Sequence, residues 1–390
     1  MTPPRCPRYR SLDLWRGVAC LLVVVFHSVY YAGASAGIAG CLLAVCRRLW
    51  VGVPLFFVIS GYCISATADA TRQKRQAATL YFRRRLRRIY PPFWMAAALF
   101  AGCVWWSEAH VPHLFADGLH PIPAPGALSW GEWCGNLTLT ETWVHHLRGH
   151  PEKFFLAHAW TLCYEEQFYA VAGFLLVVLR RRFFSGVIAV SAFTVAVSRL
   201  GAHYGWPYQG LCFDGFWLLF AAGVAVYYWV NYAAGLSRKA LAGLLLAGAA
   251  AAARRPSALL ARDANFTQFC FAAFLFALLL MALHRRDRAL AASRWMRPLG
   301  LCGRMCYSLY LVHWPVVKAL SHALYWAGVH GPRATLLVTT PLCLVCSIGA
   351  GWVFHRLVER RFLNPPLEKA DRAPASSRLA FAAAGSGASA

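Results

Sequence analysis

Long apolar runs, each close to the length that crosses a lipid bilayer, dominate this sequence and leave it little choice of architecture. Ten can be marked, at about residues 12 to 32, 49 to 67, 89 to 106, 160 to 179, 183 to 200, 211 to 230, 239 to 253, 265 to 283, 299 to 324 and 334 to 355. A hydrocarbon core of about 30 Å is spanned by about 20 helical residues, and backbone polar groups inside it must be paired internally. The pattern therefore predicts an all-α, polytopic transmembrane helical bundle of about ten spans. The seventh run, Lys239 to Ala253, is short and rich in Ala and Gly. The first is not a cleavable signal peptide, because it lacks a small-residue cleavage site and carries Asp13, Arg16 and His27.

Charge then sets the topology. Only 14% of residues are charged, yet 39 Lys and Arg stand against 15 Asp and Glu, a formal balance of +24. In a soluble protein that excess suggests nucleic acid. In a membrane protein it collects in cytoplasmic loops. With the amino terminus inside, the inner segments hold 28 positive residues and the outer ones 9, while Arg304 and Lys318 fall within the ninth run. Both termini are therefore expected to be cytoplasmic, and no nucleic-acid partner is needed. The 14 cysteines lie mostly within spans and no CxxC pair among them suggests zinc, so packing is their expected role. Residues 1–363 read as one membrane-embedded domain with an extracytoplasmic loop at 107–158. Residues 364–390, rich in Pro, Ala, Ser and Gly, read as a disordered cytoplasmic tail.

Ionisable residues inside spans are costly unless they face a cavity or a partner. Arg16 and His27 lie eleven positions apart, within about 20° of three full helical turns, so both point from one face, with His27 about 16 Å deeper. Asp13 shares that face. A neutral imidazole so placed is a candidate general base. In the second run, Pro54 is expected to kink the helix, and Ser60-Gly61 brings a hydroxyl and close backbone contact to mid-membrane. Between the second and third runs, five arginines from Arg83 to Arg88 precede Pro91 and Pro92. Guanidinium groups at a membrane entrance suit the phosphates of an anionic cofactor. The fourth run opens with Trp160 and carries the adjacent carboxylates Glu165 and Glu166, of which at most one can face a given site squarely. An intramembrane Arg such as Arg304 would be a structural partner for one of them. The ninth run places His313 near mid-membrane beside Pro315. The outer segment holds Trp130, Trp133 and Trp143, which could stack on sugars or cover the span mouths, and seven histidines without metal-ligand spacing. No metal site is expected.

SLDLWRGVACLLVVVFH, FFVISGY, the Arg-rich stretch closing in RIYP, WTLCYEEQFY and YSLYLVHWP follow one another in this order from Ser11 to Pro315. This ordered set resembles acyltransferase family 3, integral-membrane acyltransferases that modify mainly bacterial carbohydrates. The resemblance implies ten spans in the cytoplasmic (inner) membrane, an acyl-coenzyme A co-substrate, with acetyl-CoA the expected donor, and no bound cofactor. It implies O-acetylation, or transfer of a slightly longer acyl group, onto a hydroxyl of an exopolysaccharide, O-antigen or lipid-linked glycan. The partners implied are the acyl-CoA, that carbohydrate acceptor, the bilayer and polysaccharide-assembly proteins.

Residue by residue, the family's Arg-x10-His pair falls on Arg16 and His27, with His27 the catalytic base. Its Arg-x-x-Arg element falls on Arg85 and Arg88, with Arg84 and Arg87 at the same spacing. Its Trp-x-x-x-x-Glu element falls on Trp160 and Glu165, Glu165 being catalytic. Arg16, Arg85 and Arg88 would bind the coenzyme, and Trp160, His313 and Ser60 the acceptor. Thr161 and Tyr164 depart from the family's usual residues. Many relatives carry an esterase-like domain after the last span, so a second transfer step here is expected to need a separate protein. The alternative from another class is a transporter of a glycan or small solute, since intramembrane Arg, Glu and His also mark transport paths.

Overall fold

The computed structural model describes residues 9–33, 36–112, 114–116, 121–148, 151–208, 210, 213–254 and 264–363. The expected tail at 364–390 lies outside the described residues, as do His113, His120 and His150 of the outer segment. Among the described residues the chain is all-helical, without strands. In order come α1 (Leu12–Ser28), α2 (Gly37–Cys46), α3 (Gly52–Gln73), α4 (Ala78–His110), α5 (Trp130–Leu137), α6 (Glu141–Arg148), α7 (Trp160–Val178) and α8 (Phe183–His203). Then follow α9 (Trp217–Asn231), α10 (Gly235–Arg254), α11 (Ala264–Leu283), α12 (Asp287–Ala292), α13 (Arg297–Arg304), α14 (Cys306–Trp326) and α15 (Thr340–Leu357).

Nine of the ten apolar runs fall on one of the longer helices each, and the ninth run is divided between two helices. Among the described residues six helical stretches are long and apolar enough to cross a membrane: Gly37–Gln73, Ala78–His110, Arg180–His203, Gly235–Arg254, Phe266–Ala292 and Pro332–Arg361. The run at 239 to 253 is thus part of a full-length helix. The other four helices fall short for identifiable reasons. At 17 and 15 residues, α1 and α9 are short. Glu165, Glu166 and Gln167 dilute α7, while His313, Lys318 and His322 dilute α14. Outward-facing Ile188, Phe193, Leu244 and Val345 are exposed, as a hydrocarbon-facing surface requires.

Three local expectations are corrected. Pro54 sits in the first turn of α3, where its missing amide has no intrahelical acceptor, so no kink is required. The arginine-rich stretch is no loop: α4 begins at Ala78 and runs unbroken through Pro91 and Pro92, so the arginines form its opening turns. The ninth run is two helices, because the chain leaves helical geometry at Met305, between α13 and α14. Arg304 is therefore an exposed residue at the end of α13, not an intramembrane partner for a glutamate.

Packing follows from small residues and satisfied polar groups. α1 packs on α13, α3 and α14, while α3 packs on α9 and α14 on α15. A Cβ at Gly61 would lie 2.0 Å from the Phe220 carbonyl oxygen, and one at Gly223 only 1.9 Å from that of Val58. The α3–α9 crossing thus depends on paired glycines that let the backbones meet. Beside it, the buried Asp69 carboxylate accepts hydrogen bonds from Arg72 at 2.6 Å, Gln73 at 2.9 Å, Tyr227 at 2.8 Å and Tyr232 at 2.5 Å. At the chain's far end the buried Glu359 accepts from the Ser308 amide at 3.3 Å and its hydroxyl at 2.5 Å, with His355 Nδ1 at 2.8 Å. Glu359 thereby caps the first turn of α14 from outside the helix.

Candidate active site

A cavity of about 240 Å³ opens among α1, α3, α4, α7 and α14. Its lining includes Arg16, His27, Ser60, Arg85, Arg88, Trp160, Glu165 and His313, so all eight residues singled out in the sequence meet in one space. The reason is helical geometry. Arg16 and His27 share the inward face of α1, and Arg85 and Arg88, at i and i+3, share that of α4. Of the two possible Arg-x-x-Arg registers, Arg85 and Arg88 line the cavity, whereas Arg87 reaches outward toward the Arg361 carbonyl at 3.4 Å.

At the arginine end, Arg16 pairs with Asp13 at 2.6 Å, one turn earlier on α1, and its second terminal nitrogen lies 2.8 Å from Cys63 Sγ. Cys306 completes this corner and faces both Arg16 and Arg88 electrostatically. Arg85 lies over the Tyr169 ring, 4.9 Å from its centroid, and approaches Thr67 Oγ1 at 3.3 Å. Tyr169 links two walls: its hydroxyl donates to Glu165 at 3.0 Å and lies 3.4 Å from Ser60 Oγ. The neighbouring Glu166 turns away, to Tyr90 Oη at 3.5 Å, as the 100° step between adjacent positions requires.

The histidine end is built from aromatic rings. His27 packs against Trp314 at 4.6 Å and His313 at 5.4 Å between centroids, and His313 in turn lies 5.1 Å from His158. His313 Nδ1 is 2.7 Å from the Tyr310 carbonyl oxygen. A carbonyl can only accept, so Nδ1 carries the proton and Nε2 of the neutral ring keeps its lone pair. That Nε2 is buried and has no hydrogen-bond partner among the described residues. Tyr310 Oη donates to the His158 carbonyl at 2.6 Å and lies 3.0 Å from Thr161 Oγ1, which fastens α14 to the start of α7. Among the described residues no group of His, Cys, Asp or Glu could hold a metal ion.

Sequence reasoning missed several lining residues. Tyr169 was within reach, because it lies one turn after Glu165. Cys63, Tyr307 and Tyr310 resemble ordinary packing residues until the helices are assembled. His158 reads as one more histidine of the outer segment, but it is buried beside Tyr310 on the short 3-10 turn that leads into α7. The three tryptophans of that segment divide: Trp130 is exposed, Trp133 packs on Phe155 and donates to the Pro125 carbonyl, and Trp143 lies edge-on to Phe213 at 6.3 Å between centroids.

The sequence pattern of an acyltransferase domain, acyltransferase family 3, matches residues 9–356, nearly the whole described chain. The chain belongs to this family. It is also 28% identical over 392 residues to a protein of Komagataeibacter xylinus provisionally named membrane-bound transacylase BcsY, the match covering 95% of this chain and 86% of that protein. No solved structure matches it significantly. Family membership makes the protein a transferase of acyl groups and sets the transporter alternative aside. With its apolar helices, it also makes the protein a multi-pass integral membrane protein.

Proposed function

We propose that the protein moves an acyl group, in the simplest case acetyl, from acyl-CoA to a hydroxyl of a carbohydrate acceptor such as an exopolysaccharide, an O-antigen or a lipid-linked glycan. It would do so in the cytoplasmic membrane with both termini in the cytoplasm. The observation that carries this reading is the cavity itself, which has guanidinium groups at one end and imidazoles at the other. Arg16, Arg85 and Arg88 suit the coenzyme's phosphates, and the half-buried Arg85 and Arg88 of α4, which form no close ion pair among the described residues, favour an anionic ligand. Arg16 and His27 are eleven residues apart on one helix, about 16 Å, a distance that an extended pantetheine arm can cover.

In this reading the acceptor oxygen attacks the thioester carbonyl while His27 takes its proton. The new C–O ester bond forms, the C–S bond breaks, and the departing thiolate recovers the proton from the imidazolium. His313 Nε2, a buried acceptor, would orient the acceptor hydroxyl, and Ser60, Tyr169 and Glu165 would hold the side of the site nearer the arginines. Aromatic lining by Trp160, Tyr307 and Tyr310 supports a sugar acceptor, since ring faces stack on apolar sugar surfaces. The name of the Komagataeibacter relative supports acyl transfer at a membrane.

The test is acyl transfer from labelled acetyl-CoA in membranes carrying wild-type protein or His27→Ala, with insertion verified. Loss by about 10²- to 10⁴-fold is expected for a missing general base. Wild-type activity in that variant would sink the mechanism.

A further inference from the structure

A second recess lies on the face where α1 begins, between that end of α1 and the α12–α13 segment, with a volume of about 430 Å³. It shares no lining residue with the acyl-transfer cavity. Arg10, Arg297 and Arg304 surround it, each exposed at its outer side, and Met296 and Leu301 give it an apolar edge. Ser11 also lines it. That residue is 1% exposed, and its hydroxyl makes no hydrogen bond among the described residues.

The carboxylates nearby are already committed: Asp13 to Arg16, and Asp287 to the backbone amides of Arg10 and Ser11 at 2.7 and 2.8 Å. What remains is an excess of cationic donors around one buried, unpaired hydroxyl. Such a set matches the oxygens of a phosphate group.

We propose that this recess holds the phosphate of an anionic phospholipid headgroup. The surroundings favour a lipid over a soluble phosphate. Trp295 is 77% exposed beside the recess, with the Arg294 guanidinium 5.0 Å from its ring centroid, and Met296 and Leu301 are exposed next to it. Arginine with exposed tryptophan and leucine on a short amphipathic segment is the composition of a membrane-interface anchor. The walls of the recess are also closely packed. A Cβ at Gly17 would lie 2.0 Å from the Leu299 carbonyl oxygen, and one at Gly303 only 1.6 Å from that of Asp13, so α1 and α13 meet backbone to backbone. Asp13 belongs to the recess while its partner Arg16 belongs to the acyl-transfer cavity, so the bound headgroup and the transfer site share one ion pair.

The test is lipid retention, which does not depend on acyl transfer. Full-length protein is reconstituted in nanodiscs of phosphatidylcholine with a minor share of phosphatidylglycerol, and retained lipids are counted by native mass spectrometry after detergent washing. Wild type should retain phosphatidylglycerol selectively. The double variant Arg297→Ala/Arg304→Ala should lose about tenfold or more of that retention, because each cationic contact to an anionic headgroup is removed outright. Ser11→Ala should lose it several-fold while its melting temperature stays near wild type.

The control Arg285→Ala/Arg286→Ala removes equal charge from the same segment outside the recess and should retain wild-type selectivity. An equal loss in that control would reduce the effect to general surface charge and overturn the site. Displacement of the lipid by millimolar inorganic phosphate, or selective retention unchanged in Arg297→Ala/Arg304→Ala, would overturn the assignment to a lipid headgroup.

Discussion

The Asp69 cluster and the acyl-transfer cavity both hold charged groups among apolar helices, yet they are finished in opposite ways. Around Asp69 the carboxylate receives four hydrogen bonds from Arg72, Gln73, Tyr227 and Tyr232, and the cluster fills its own space. In the cavity, Arg85 and Arg88 face open volume, and His313 Nε2 is buried without a hydrogen-bond partner among the described residues. Buried polar groups are satisfied almost everywhere in folded proteins. A site that leaves them open is arranged for something that arrives later. A buried charge therefore does not mark function by itself; what sets the cavity apart is that its polar groups are left open together around one space.

The comparison can be broken by mutation. The largest effects should separate cleanly by type. Arg85→Ala/Arg88→Ala should lower kcat/KM for acyl-CoA by about a hundredfold or more, since two charge-assisted contacts vanish, while the melting temperature in detergent changes little. Asp69→Ala should do the reverse, destabilising the fold by about 3–5 kcal/mol because Arg72 loses its buried counter-charge, with normal turnover per folded molecule. If Asp69→Ala instead abolishes turnover in stable protein, the division between the two regions is wrong.

Gly223→Ala comes next, at about 1–3 kcal/mol of overpacking against the Val58 carbonyl, read as a fall in melting temperature. Tyr169→Phe sharpens the boundary of the cavity. Removing one hydroxyl between Ser60 and Glu165 should cost about tenfold in kcat and about 1 kcal/mol in stability. The smallest effect lies outside the membrane. The Ser129 amide and hydroxyl hold Glu132 below the usual carboxylate range in the capping box that opens α5. A depressed carboxylate pKa adds stability above its unfolded value, and that contribution fades as pH falls through the folded one. Amide exchange at the start of α5 should thus accelerate in acid, and Glu132→Gln should remove the pH dependence.

Much of this molecule is readable from its sequence. Apolar length alone locates the long helices, because a bilayer leaves backbone groups no other partner. Ionisable residues at helical spacing locate the cavity walls, because Arg16 with His27, and Arg85 with Arg88, can share a face only in a helix. What escapes such reading depends on the assembled neighbourhood. His158 becomes a site residue only because α14 brings Tyr310 and His313 against it. The break at Met305 escapes because the apolar residues on its two sides read as one run in spite of Arg304. Glu359, close to the end of the described chain, gives no local hint that it caps a helix fifty residues earlier.

The Asp13–Arg16 pair has a consequence for biosynthesis. α1 is translated well before α13, α14 and Glu359, which complete its surroundings. Until then the first helix waits in the bilayer with a guanidinium on its face. A carboxylate one turn away neutralises that charge within the helix itself, so α1 can be inserted and stored before its neighbours exist. The site is thereby assembled from segments far apart in the chain, and a polypeptide released before Glu359 would occupy the membrane without a finished cavity.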